Sequence, residues 1–132
     1  MKTLFIAGTR SREGQTARAL DAYAAGCTRA GSDVEAVFLP ELDIRVCNQC
    51  GVDNWGTCKS KGVCCIKDDL NDVIAKIRKA DAVVFVTPVF YSDVSECLQA
   101  FTRRLRRTTS NEAGQAGIAG KKAAVIAVAG NR

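Results

Sequence analysis

The sequence predicts a doubly wound α/β domain on a parallel sheet, with a cysteine-rich loop between its second strand and second helix. Short apolar runs bounded by glycine or proline alternate with segments whose apolar residues recur at helical spacing. Five of the seven cysteines crowd into residues 46–67, between two such segments. The loops after the first and third runs lie at the sheet edge where α/β folds bind ligands, and both carry side chains unusual for plain turns.

The elements follow in order. "TLFIAG" (3–8) is an apolar run ending at glycine, as expected of a buried parallel strand. From residue 15 to 30, Leu20, Tyr23, Ala24 and Cys27 recur at helical spacing, and Gly31 supplies the stop. "VEAVFL" (34–39) is a second strand, halted by Pro40. Beyond the cysteines, Asp68 is the expected cap of a helix whose Leu70, Val73, Ile74 and Ile77 share one face. "AVVFVT" (82–87) is a third strand, ended by Pro88. Ser95 caps the next helix, with Leu98, Phe101 and Leu105 inward, and "KAAVIAVAG" (122–130) is a fourth strand after a Gly-rich polar loop. The order β-α-β-(excursion)-α-β-α-β makes residues 1–132 one domain. Its sequence stops just after a strand, so the C-terminal strand or helix of such a sheet is expected to be missing, as in a truncated form.

Composition narrows the chemistry. Apolar residues at 47% and charged residues at 25% fit one globular core. A net charge of +5 favours anionic ligands weakly and is too small to imply nucleic acid. The absence of histidine removes Ser-His-Asp and Cys-His chemistry, which assigns catalysis to a bound cofactor. The N-terminal apolar run is too short for a signal peptide, and nothing approaches the roughly 18 residues of a membrane span. The chain is expected in the cytoplasm, where clustered cysteines are more often metal ligands or redox groups than structural disulfides.

In "GTRSREGQT" (8–16), Gly8 and Gly14 permit a tight turn, while Thr9, Ser11, Gln15 and Thr16 offer donors and Arg10 and Arg12 add charge. With the positive end of the following helix, that makes a phosphate seat. No lysine precedes Thr16, so it is not a Walker loop, and the G-x-G-x-x-G pattern is absent. A polar turn with no ligand is the alternative. In "TPVFYSDVS" (87–95), Phe90 and Tyr91 are adjacent aromatics behind a rigid proline, against which a planar ligand could lie. One ring tucked into the core and one snorkelling would also explain them.

These segments resemble the flavodoxin-like NAD(P)H-dependent FMN reductases, and within them the iron–sulfur flavoproteins. The family reads "SGSPR-x-x-G-N-T" where this chain has "AGTRSREGQT", leads from its cysteines into a "K-D-D" helix where this chain has "CCIKDDL", and reads "SPVYFGSVS" where this chain has "TPVFYSDVS". The resemblance implies FMN phosphate at Thr9, Ser11, Arg12, Gln15 and Thr16, and the isoalloxazine along Pro88, Val89, Phe90, Tyr91 and Ser92. Arg10 replaces the usual proline, Ser11 stands where arginine is common and Gln15 where asparagine is. The family's third flavin loop would follow Gly130.

The family's cysteine motif is C-x2-C-x2-C with a further cysteine about five residues later. Here Asp53 stands in the third place, but Cys47, Cys50, Cys58 and Cys64 give C-x2-C-x7-C-x5-C, as if five residues were inserted around Trp55. Four thiolates are what a [4Fe–4S] cluster requires, and Cys65 is a spare or substitute. A reductase without a cluster and a four-thiolate zinc site are alternatives, with disulfides last. Cys27 and Cys97 are assigned to the core, the C-x5-R spacing from Cys97 to Arg103 to a helix, and "RRLRR" (103–107) to the helix dipole. The resemblance implies an FMN-dependent oxidoreductase passing electrons between a donor such as NAD(P)H or a ferredoxin, FMN and a cysteine-bound cluster. A homodimer or homotetramer is expected. The basic helix end and the short apolar runs argue for no nucleic-acid or membrane partner, and with a cofactor carrying the chemistry no side chain need act as catalytic acid or base. A cluster-free FMN or quinone reductase and a non-catalytic metal-binding module are the rival readings.

Overall fold

The computed structural model describes residues 1–130. Four parallel strands form the sheet: β1 (Lys2–Ala7), β2 (Asp33–Phe38), β3 (Ala82–Phe90) and β5 (Lys122–Val128), in the spatial order β2-β1-β3-β5. A two-residue strand, β4 (Asp93–Val94), returns antiparallel against the end of β3. The helices are α1 (Gln15–Arg29), α2 (Thr57–Lys61), α3 (Leu70–Lys79), α4 (Glu96–Thr108) and α5 (Glu112–Gln115). None is long and apolar enough to cross a membrane.

β1 is central, and its alternating side chains divide the core into two layers. Leu4 and Ile6 join Leu70, Val73, Ile74 and Ile77 of α3 and Leu98 and Phe101 of α4 on one face. Phe5 and Ala7 join Leu20 of α1 with Val84 and Val86 on the other. Burial on both faces explains why β1 is a continuous apolar run. β5 is different: Ala124 and Ile126 pack inward, while Val125 is 66% exposed. The chain leaves β1 for β2 on one side and crosses back to β3 on the other, so strand order reverses between the carboxyl ends of β1 and β3.

Several expected boundaries move. β3 does not end at Pro88 but runs on to Phe90, with Pro88 in register with Val128. The β1 ladder ends at Ala7 opposite Val86, so no neighbour on that side asks Pro88 for an N–H. Leu39–Glu41 turns as a 3-10 helix where Pro40 takes an early position, closing β2 one residue sooner. Asp69, not Asp68, is the cap residue of α3, although Asp68 Oδ1 accepts from Leu70 N at 3.1 Å. Ser95 is at the N-cap of α4 without a capping bond; its N–H donates to Thr87 Oγ1 at 3.0 Å.

Candidate functional site

At the β1/β3 switch point lies a cleft of about 880 Å³. Gly8 N–H donates to the Val86 carbonyl at 2.7 Å, tying the end of β1 to β3. A Cβ on Gly8 would stand 2.3 Å from Ser95 Oγ and 3.1 Å from Leu98 Cβ, so only glycine lets this turn approach α4. The loop then reaches Gly14, which starts α1 without a side-chain cap, and the first turn holds no acidic residue. Within that turn, no side chain caps the free N–H groups at the positive end of α1. The far wall is a hairpin in which Phe90 faces Asp93 across the two-residue turn Tyr91–Ser92. Both turn residues are left-handed, with φ of 50° and 64°. That is the type I′ geometry of tight hairpins, normally given to glycine and asparagine. It holds Phe90 and Tyr91 at 57% and 103% exposure along the cleft.

A second cavity, of about 20 Å³, is lined by Cys47, Cys50, Cys58, Cys64 and Cys65 together with Arg104 and Arg107. The thiols are all free. Cys50 and Cys65 are in contact, sulfur to sulfur at 3.6 Å, and that contact, with burial and the neighbouring thiols, pushes the Cys50 thiol above its ordinary range. Cys64 Sγ accepts from Arg104 Nη2 at 3.1 Å. Arg104 is only 1% exposed and grips Asp68 with both terminal nitrogens, at 2.5 and 3.1 Å. Burial alone would raise the Asp68 pKa; hydrogen bonds from Arg104 and from the Arg45 and Leu70 N–H groups win and hold it below the usual carboxylate range. The Nε groups of Arg104 and Arg107 are buried with no acceptor among the described residues. Arg107 lies 4.1 Å over the ring of Trp55 and donates to the Asn54 carbonyl. Among the described residues, no three His, Cys, Asp or Glu side chains converge closely enough to coordinate one ion.

A profile of the NADPH-dependent FMN reductases matches residues 1–132. The chain belongs to that family. An iron–sulfur flavoprotein of Archaeoglobus fulgidus is 30% identical over 105 residues, 80% of this chain and 46% of its own length. An iron–sulfur flavoprotein of Methanocaldococcus jannaschii is 27% identical over 106 residues, 80% of this chain and 52% of its own. The chain thus spans about half the length of these curated relatives. In structure, an NAD(P)H:quinone oxidoreductase from Methanothermobacter marburgensis superposes with a TM-score of 0.76 at 20% identity, over 100% of this chain and 65% of that one, and shares the fold.

Of the flavin residues expected in this FMN reductase family member, Thr9, Ser11, Pro88, Phe90 and Tyr91 line the cleft. Val89 and Ser92 belong to the same hairpin, Thr16 is buried in the first turn of α1, and Gln15 is exposed beside it. Arg12 is elsewhere: Nε and Nη2 hold Glu41 at 2.6 and 2.7 Å, and its guanidinium stacks 4.2 Å over Phe38. Arg10 stands on the cleft wall instead. Sequence reasoning missed Asp93, Glu96 and Gln99, which reach the cleft from β4 and the first turns of α4. Cys97, expected in the core, packs against the core beside Leu98 and also borders the cleft, its sulfur 3.4 Å from Ser95 Oγ. All five clustered cysteines share one cavity, and Cys27 packs beside Phe5 and Leu20.

Proposed function

We propose that this chain is an FMN-dependent oxidoreductase domain whose cysteines hold an iron–sulfur cluster. The observation that carries the reading is one helix serving two sites. α4 lines the cleft with Glu96, Cys97 and Gln99 and the thiol cavity with Arg104 and Arg107, about 16 Å along the axis from Glu96 to Arg107. Thr9, Ser11, Gln15 and Thr16 at the uncapped start of α1 would hold the FMN phosphate, with Arg10 supplying the charge that Arg12 commits to Glu41. Pro88 to Ser92 would carry the ring. Cys47, Cys50, Cys58 and Cys64 would be the cluster ligands. The donor set fits: soft thiols suit iron–sulfur centres, and two buried guanidinium N–H groups without acceptors suit an anionic group. When bound, FMN supplies two- and one-electron chemistry and a cluster supplies one-electron chemistry. The chain contributes binding, orientation and charge. The reading includes a reduced donor such as NAD(P)H or a ferredoxin, a cytoplasmic setting that keeps thiols reduced, and a homodimer or homotetramer. A cluster-free FMN or quinone reductase is favoured by one observation, that no three ligands converge among the described residues.

Anaerobic reconstitution of the chain with FMN, iron and sulfide tests both sites at once. Oxidised-flavin bands and broad visible absorption from thiolate-bound iron are expected together. Serine at Cys47, Cys50, Cys58 or Cys64 should each strip iron, because cluster ligands act as a set. Thr16→Glu should weaken flavin uptake and spare iron. Flavin without metal leaves the cluster-free reductase; one zinc without sulfide identifies a structural zinc site.

A further inference from the structure

Cys50 and Cys65 are the thiol pair whose sulfurs meet, at 3.6 Å. We propose that they form a reversible, peroxide-sensitive dithiol, and that its disulfide form removes Cys50 from the metal-ligating set. The second half rests on the reading above; the first half does not. A disulfide brings sulfurs to about 2.05 Å, so closure needs about 1.5 Å of approach. Both residues lie in irregular backbone, Cys50 before α2 and Cys65 between α2 and α3, where no ladder or helix resists that shift. Gly56 keeps room beside the pair: a Cβ there would press on Cys50 Cβ at 3.0 Å and stand 3.9 Å from Cys65 Sγ.

The choice of partner is built in. Cys65 is the exposed member of the seven cysteines and meets an oxidant first. Its neighbour Cys64 is held by Arg104 through a 3.1 Å bond from a guanidinium that Asp68 locks in place. Cys64 is engaged by that guanidinium, and Cys50 is the thiol whose sulfur already meets Cys65. Peroxide oxidises the Cys65 thiol to the sulfenic acid and is itself reduced to water. The Cys50 sulfur then attacks the sulfenic sulfur, the S–O bond breaks, and a second water leaves with the thiol proton. In sum, two thiols lose two electrons and two protons, and one peroxide becomes two waters. A dithiol reductant restores both thiols.

The test uses the metal-free chain, reduced anaerobically, given one equivalent of hydrogen peroxide, alkylated and digested with trypsin without reduction. The expected product joins peptides 46–59 and 62–67, two hydrogens lighter than their sum, with fragment ions placing the bond at Cys50 and Cys65. Dithiothreitol should release it. Cys65→Ser should abolish the link yet leave iron uptake by the reduced chain intact, and Cys64→Ser should keep the link. A bond mapped to Cys58 or Cys64, or Cys65 driven to sulfinic acid with no link, overturns the proposal. If the link maps as expected but the reduced chain takes up no iron, the dithiol stands and the cluster reading fails.

Discussion

Arg104 sits in a run of basic residues that, read as a string, belongs on a solvated helix end. The structure buries it and ties it to Asp68, Cys64 and the Arg45 carbonyl. The signal was in the spacing: Phe101, Arg104 and Thr108 follow one another at three and four residues, and all three are buried. Composition outweighed periodicity, because a buried arginine is rare unless a partner waits, and that partner is 36 residues away. Asp68→Asn would leave a buried guanidinium without a counter-charge, at a cost of about 3–5 kcal/mol. The pH dependence has a definite sign. An aspartate held below its unfolded pKa of about 3.9 adds stability above that pH and loses it as pH falls through the lower folded value. Thermal unfolding followed from neutral pH into acid should show the wild type losing its advantage over Asp68→Asn below about pH 4. Parallel curves for the two proteins would show that this carboxylate is not what the arginine is held by.

Among the elements, β1, β2, β3, β5, α1, α3 and α4 were legible because each spans at least six residues of one period. α2, α5 and β4 have five, four and two residues, too few for any period to show. Their existence depends on contact with one another and with their neighbours. α2 ends at Gly62, left-handed at φ 68°, where a Cβ would fall 2.3 Å from Gly114 N. A Cβ on Gly114 would fall 1.6 Å from the Thr108 carbonyl oxygen. Asn111 completes the joint, capping α5 through Gly114 N–H at 2.8 Å and donating to the Cys58 and Lys59 carbonyls. Thus the Gly-rich loop, expected only to connect, docks the helix that carries Cys58. Gly114→Ala should cost more than the roughly 1–3 kcal/mol typical of overpacking, because the obstacle is backbone. Hydrogen exchange should quicken in 57–62 and 111–115 while β1 and β3 keep their protection. Uniform loss across the sheet would mean that the joint is part of the global core.

At the scale of the whole molecule, the switch point could be foreseen from strand order, and the two loops that border it stood out by their residues. The third wall could not be foreseen. Glu96 and Gln99 are ordinary polar residues whose relevance depends on how α4 is docked across the sheet, a tertiary fact that no local pattern encodes. Asp93 joins them because the two-residue β4 turns back on β3. The same docking sets the cysteine cavity at the other end of α4, so the two candidate sites share a rigid spacer, not a flexible loop. A hollow lined by Gln49, Arg103 and Arg106 runs between them and shares Glu96 and Gln99 with the cleft and Cys47 with the thiol cavity.

The chain has a single tryptophan, and it lies in the cysteine excursion under the Arg107 guanidinium. In the flavin-free chain, intrinsic indole emission is therefore a spectroscopic channel that originates in that excursion. Arg107→Ala removes the nearer of the two cations over the ring, Lys59 staying at 5.8 Å, and loosens its cover, so emission should move to the red while far-ultraviolet circular dichroism stays unchanged. Titrating iron and sulfide into the wild type should quench the same band in proportion to loading, because an absorbing centre would form among thiols on the far side of Arg107. Emission that ignores both the substitution and the metal would show that Trp55 does not rest where its stacking partner holds it.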